Sequence, residues 1–153
     1  MILIDWAQLC EMAFLDDSDR LCMIGVMTRF PAPALPIRLR HVMIVVRIVG
    51  GQAEKTFDIG ISMVTPNGSS LTPQQADAFD IAVTAEYVFI TLRDIPLKEE
   101  GTHRFAVSVG SGDPVFLDVP VLLVKNQAHS SRKRDNAPTA AGQPAWLSGR
   151  EVN

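Results

Sequence analysis

Ile37-Arg38-Leu39-Arg40-His41-Val42-Met43-Ile44-Val45-Val46-Arg47-Ile48-Val49 is the stretch from which the fold is read. Its residues are dominated by β-branched side chains, and it contains no glycine or proline to break an extended run. Strand side chains alternate between two faces, so Val42, Ile44, Val46 and Ile48 share one face. Met43 and Val45 share the other with His41 and Arg47. A strand apolar on both registers needs cover on its second face, from another chain or from a tail of its own.

Working outward, turn chemistry cuts the chain at short intervals. Upstream, the proline linker Pro31, Pro33 and Pro36 cannot donate ladder hydrogen bonds. Before it, residues 3–15 and Leu21 to Thr28 flank Asp16-Asp17-Ser18-Asp19, whose side chains bond their own backbone in tight turns, which predicts a hairpin. Downstream, Gly50-Gly51-Gln52 turns the chain into a strand at 55–64 with Phe57, Ile59, Ile61 and Met63 inward. Pro66-Asn67-Gly68 is a turn. Thr72-Pro73-Gln74-Gln75 reads either as a short helix start, with Thr72 as cap, or as an irregular loop. Further strands fall at 82–92, at 103–109 with Phe105, Val107 and Val109 inward, and at 115–124, with 95–101 as a loop. About seven strands without a βαβ rhythm predict an all-β, antiparallel two-sheet sandwich, with a small closed β-barrel as the alternative.

The chain has 153 residues, a formal net charge of −3 and 47% hydrophobic residues. That length suits one domain able to bury its own core. The composition is too apolar for a disordered chain, and no apolar run is long enough for a membrane helix. The start lacks a basic leader, so a cytoplasmic setting is expected. Residues 1–124, the expected sandwich domain, carry 9 Lys/Arg against 15 Asp/Glu. Residues 125–153 carry 5 Lys/Arg against 2 Asp/Glu and no apolar periodicity, so they read as a flexible, weakly basic C-terminal tail.

Groups that could carry chemistry are few. His41, His103 and His129 have no metal-binding spacing with each other or with cysteine, and solvated or edge-strand histidines are expected. Gly68-Ser69-Ser70 lacks the second glycine of a nucleophile elbow, and Gly110-Ser111-Gly112 precedes a strand rather than a helix. Cys10 and Cys22 flank the acidic turn; without a secretion signal a reduced, buried pair is expected. Asp16 and Asp19, with Asp94 and Glu99, could form a loop-end calcium or ligand site, or serve an enzyme, if their loops converge. Arg38, Arg40 and His41 make a basic strip, but the acidic body disfavours nucleic acid, and the tail's Arg132, Lys133 and Arg134 add little at physiological salt.

The acidic turn followed by Leu21-Cys22-Met23-Ile24-Gly25-Val26, the linker Pro31–Pro36, the strand Val42 to Arg47, and the later Phe89-Ile90 and Gly101-Thr102-His103-Arg104-Phe105 together resemble a family of small bacterial proteins known only as a domain of unknown function. The resemblance covers residues 3–124 and implies a β-sandwich in a bacterial cytoplasm, with no catalytic residues to carry over. The functional expectation is a non-enzymatic binding or assembly module without cofactor or metal. It would act through its sheet surface and its tail, where Trp146 and Leu147 form an isolated apolar pair. Its partner is expected to be a protein, most simply a second copy in a homodimer, and neither membrane nor nucleic acid.

Overall fold

The computed structural model describes residues 2–50, 58–72 and 79–124. The inward placement of Phe57, the choice between helix and loop at 73–78, His129 and the tail from residue 125 lie outside the described residues. Among the described residues the chain forms only strands, and no helix is long and apolar enough to cross a membrane.

The strands are β1 (Leu3–Leu15), β2 (Leu21–Val26), β3 (Phe30–Ala32), β4 (Ile37–Val49), β5 (Ile59–Val64), β6 (Ser70–Leu71), β7 (Phe79–Val83), β8 (Tyr87–Leu97), β9 (Gly101–Val109) and β10 (Val115–Leu123). They make two open sheets, ordered β2-β1-β4-β8-β7 and β3-β10-β9-β5-β6. The fold is therefore an all-β sandwich and not a closed barrel. Its ladders are antiparallel, except that β3 runs parallel to β10.

Among the described residues ten strands replace the expected seven, for identifiable reasons. The proline linker holds β3, because Pro31 sits on an edge strand where a missing donor costs no ladder bond. The expected strand at 82–92 is two strands, split at Thr84 without glycine or proline. The Thr84 hydroxyl closes that turn, accepting from the Tyr87 N–H at 2.9 Å. Strand β8 then runs through Pro96 to Leu97, where a loop was expected. Among the described residues the β7–β8 ladder ends at Leu92, short of Pro96.

The Asp16 turn forms as its chemistry dictates. Asp16 Oδ1 accepts from the N–H groups of Ser18 and Arg20, each at 2.9 Å, and Asp19 takes a positive φ of 58°. Its carboxyl is held below the ordinary range, first by the Arg20 side chain and then by those two amides.

The main core lies between the sheets. Val42, Ile44 and Val46 of β4, with Leu9, Ile90 and Leu92, meet Ile61, Met63, Phe105 and Val107 from the second sheet. The alternation of β4 changes phase once. Arg40 and His41 are both exposed while Leu39 is buried. Opposite them in the β4–β8 ladder, Asp94 adopts a φ of 54°, and the Arg38 guanidinium donates to its carbonyl at 3.0 Å. The bend turns Leu39, Ile95 and Leu97 back into the core.

Candidate functional site

A second apolar cluster lies on the outer face of the first sheet. Val45 and Phe89 are paired across β4 and β8, and both are buried there with Cys10 and Ala13. Trp6, Leu15, Leu21, Met23, Met43 and Tyr87 pack around them. The Trp6 and Tyr87 rings lie 6.2 Å apart although β4 runs between their strands, so they lean over Arg47, the ladder partner of both. Arg47 reaches the Asp5 carboxylate at 3.0 Å.

The hairpin itself supplies this cover. The β1–β4 ladder ends at Cys10–Met43, after which β1 parts from β4 while staying paired with β2. The Ala13 N–H then points at Met43 Sδ, 3.3 Å away, and the hairpin tip at Leu15 and Asp19 lines a cleft of about 300 Å³ with Thr84–Tyr87. Within the described residues, the second face of β4 is thus covered by Ala13, Leu15, Leu21 and Met23. The expected cover from Trp146 and Leu147 lies outside the described residues.

Turning one face of the hairpin inward turns the other outward. Met12 pairs with Ile24, and Phe14 with Cys22, across β1–β2. Met12, Phe14, Ile24 and Val26 are 50%, 45%, 53% and 49% exposed, forming one continuous apolar strip on the edge of the sheet. Four large apolar side chains half in water on two adjacent strands is an arrangement that marks contact sites. Gly25, between two of them, has a φ of 64°, and a Cβ there would lie 2.7 Å from the Glu11 side chain. Sequence reasoning missed this strip. Its signal was present, since Leu9 to Leu15 and Leu21 to Val26 are apolar on both parities, broken only at Glu11 and Gly25.

The carboxylates considered as a loop-end site do not converge. Asp16 and Asp19 belong to the hairpin tip, beside Tyr87 at the start of β8. Asp94 lies seven residues further along that strand, about 23 Å at strand rise. Glu99, in the next turn, accepts from the Asn67 N–H at 3.3 Å. No group of three or more His, Cys, Asp or Glu able to hold a metal occurs among the described residues.

His103 is neither solvated nor on an edge. It is fully buried on β9, the middle strand of its sheet, with Nδ1 3.3 Å from the Gly101 carbonyl and Nε2 without a partner among the described residues. His41 is exposed, its Nδ1 3.1 Å from the Glu11 carbonyl. Cys10 and Cys22 are free thiols, but they are not opposite each other: Cys10 pairs with Val26 and Cys22 with Phe14. Cys10 is buried, which pushes its thiol up, and Cys22 is half-buried. Arg132, Lys133, Arg134, Trp146 and Leu147 lie outside the described residues.

Residues 5–117 match the model of a family described as "Family of unknown function (DUF6941)". No curated protein matches the chain. Among solved structures, the Ig1 domain of mouse SynCAM 2 is similar with a TM-score of 0.29 and 11% identity, over 58% of this chain and 96% of that one.

Proposed function

The chain belongs to this family of unknown function (DUF6941), and with no activity conveyed by that membership we propose that it is a non-catalytic protein-docking module. Its contact surface is the exposed face of the β1–β2 hairpin. The observation carrying the reading is the strip of Met12, Phe14, Ile24 and Val26, each about half in water on strands held rigid from behind by the Val45–Phe89 cluster. Exposed apolar side chains cost solubility, and a preorganised strip binds without an ordering penalty. The free thiols of Cys10 and Cys22 suit a reducing compartment, so the proposed setting is cytoplasmic.

Site-specific photo-crosslinking tests the reading. A benzophenone side chain in place of Phe14 or Ile24 is expected to give a discrete protein adduct in the cell. The same group in place of Ser62, on the second sheet, is the control. Equal labelling at all three positions, or none at the hairpin, would overturn the proposal.

A further inference from the structure

We propose that the occupant of the hairpin strip is a second copy of this chain, joined edge to edge by antiparallel pairing of β2 with β2. This rests on the docking reading above and names its partner. Of the edge strands among the described residues, β3 has three residues including Pro31, and β6 has two. Edge strand β7 carries Asp80, ion-paired to Arg93. Short length, proline and charge are the usual means by which an edge avoids pairing. Strand β2, Leu21–Val26, has six uncharged residues and no proline.

The free backbone groups fall on alternate residues of β2. The Asp16 N–H donates to the Arg20 carbonyl at 2.9 Å, so Asp16–Arg20 is a hydrogen-bonded pair at the closed end of the β1–β2 ladder. In an antiparallel ladder such pairs alternate with non-bonded ones, which makes Phe14–Cys22 and Met12–Ile24 hydrogen-bonded and Leu15–Leu21 and Ala13–Met23 non-bonded. The N–H and C=O of Leu21 and Met23 therefore point away from β1, to the open edge. Pairing Met23 of one copy with Met23 of the other about a two-fold axis closes these groups and sets Cys22 opposite Ile24, which joins the two strips into one.

Charge supports the same register. It carries Arg29 of each copy, exposed just beyond β2, towards the acidic turn Asp16–Asp19 of the other. The half-exposed strip offers roughly 300 Å² of apolar surface per copy. With the strand edge and flanking turns the two-sided total approaches ~1,000 Å², the low end for a specific interface, so the dimer is a micromolar one.

Sedimentation velocity of the full chain, from about 5 to 200 µM, decides it, because an interface of this size fills in that range. The native chain is expected to shift from monomer to dimer, more weakly at high salt. Ile24→Lys is expected to weaken dimerisation more than about tenfold with the melting midpoint unchanged. Phe14→Ser, on the other strand of the strip, is expected to act in the same direction. A native chain that stays monomeric throughout overturns the proposal, as does a dimer that both variants leave intact. Trp146→Ala is expected to change nothing; loss of the dimer in that variant would assign the contact to the tail. A monomeric purified chain whose hairpin still crosslinks to another protein would overturn self-pairing alone, whereas a hairpin without crosslinks would remove the docking reading itself.

Discussion

Val45 and Phe89 face each other across β4 and β8 on the outer side of the sandwich, yet they are 0% and 7% exposed. Their burial comes from a hairpin that bends after Cys10 and lies over them. Phe89→Ala should therefore cost about 3–5 kcal/mol, as much as Phe105→Ala in the main core, since both remove a packed aromatic ring. Urea denaturation of the two variants checks this. A Phe89→Ala loss near that of a surface substitution would mean the hairpin does not pack there.

Acid should weaken the fold partly through two carboxylates. Arg104 holds Asp118 in a two-pronged pair, Nε to Oδ1 at 2.6 Å and Nη2 to Oδ2 at 2.8 Å, and Asp16 is held by Arg20 and two amides. Both carboxyls titrate below their ordinary values. A carboxyl whose value is depressed by folding stabilises the native state above the unfolded value, near pH ~3.9, and the contribution is lost as pH falls through the folded one. In Asp118→Asn the melting midpoint should consequently fall less steeply below about pH 4 than in the native chain. An identical slope would show that the exposed pair is screened to nothing.

The two thiols should differ in reactivity. Cys22 is half-buried, whereas Cys10 is buried and its thiol is raised by that burial. Alkylation under native conditions should modify Cys22 first and reach Cys10 only on unfolding. Mass spectrometry of the partly alkylated chain reads the order directly. Prior modification of Cys10 would contradict the packing of the outer cluster.

His103→Leu should change stability by no more than about 1 kcal/mol, because it replaces a buried imidazole that has one unpartnered nitrogen with an apolar side chain. Chemical denaturation measures it. A loss well beyond that figure would reveal a hydrogen bond essential to the β9 interior.

Much of the fold was legible along the chain. The bounds of β4, the hairpin around Asp16–Asp19 and the inward set Ile61, Met63, Phe105 and Val107 follow from period-two alternation and turn chemistry, which are local properties. What escaped was non-local. The split between β7 and β8 rests on one Thr84 hydroxyl rather than on a glycine or proline. The phase change at Arg40–His41 answers a positive φ at Asp94, which lies 53 residues beyond His41 in the chain. The candidate site was hidden for the same reason. Alternation revealed that β4 was apolar on both faces but not what covered it, and only the bend after Cys10 determines which side of the hairpin is left outside.

That bend gives one domain two packing centres, and so two free energies of opening. The strands of the sandwich hold their own core whether or not the hairpin tip is seated, while Ala13, Leu15, Leu21 and Met23 depend on the smaller cluster alone. Amide protons of the hairpin tip should then exchange with solvent through a partial opening, at a rate set by the outer cluster, while those of β9 wait for global unfolding. A molecule caught in that partial opening would have an intact sandwich with Val45, Phe89 and Met43 suddenly bare. Seating of the hairpin is thus what keeps the apolar outer face of the sheet out of water.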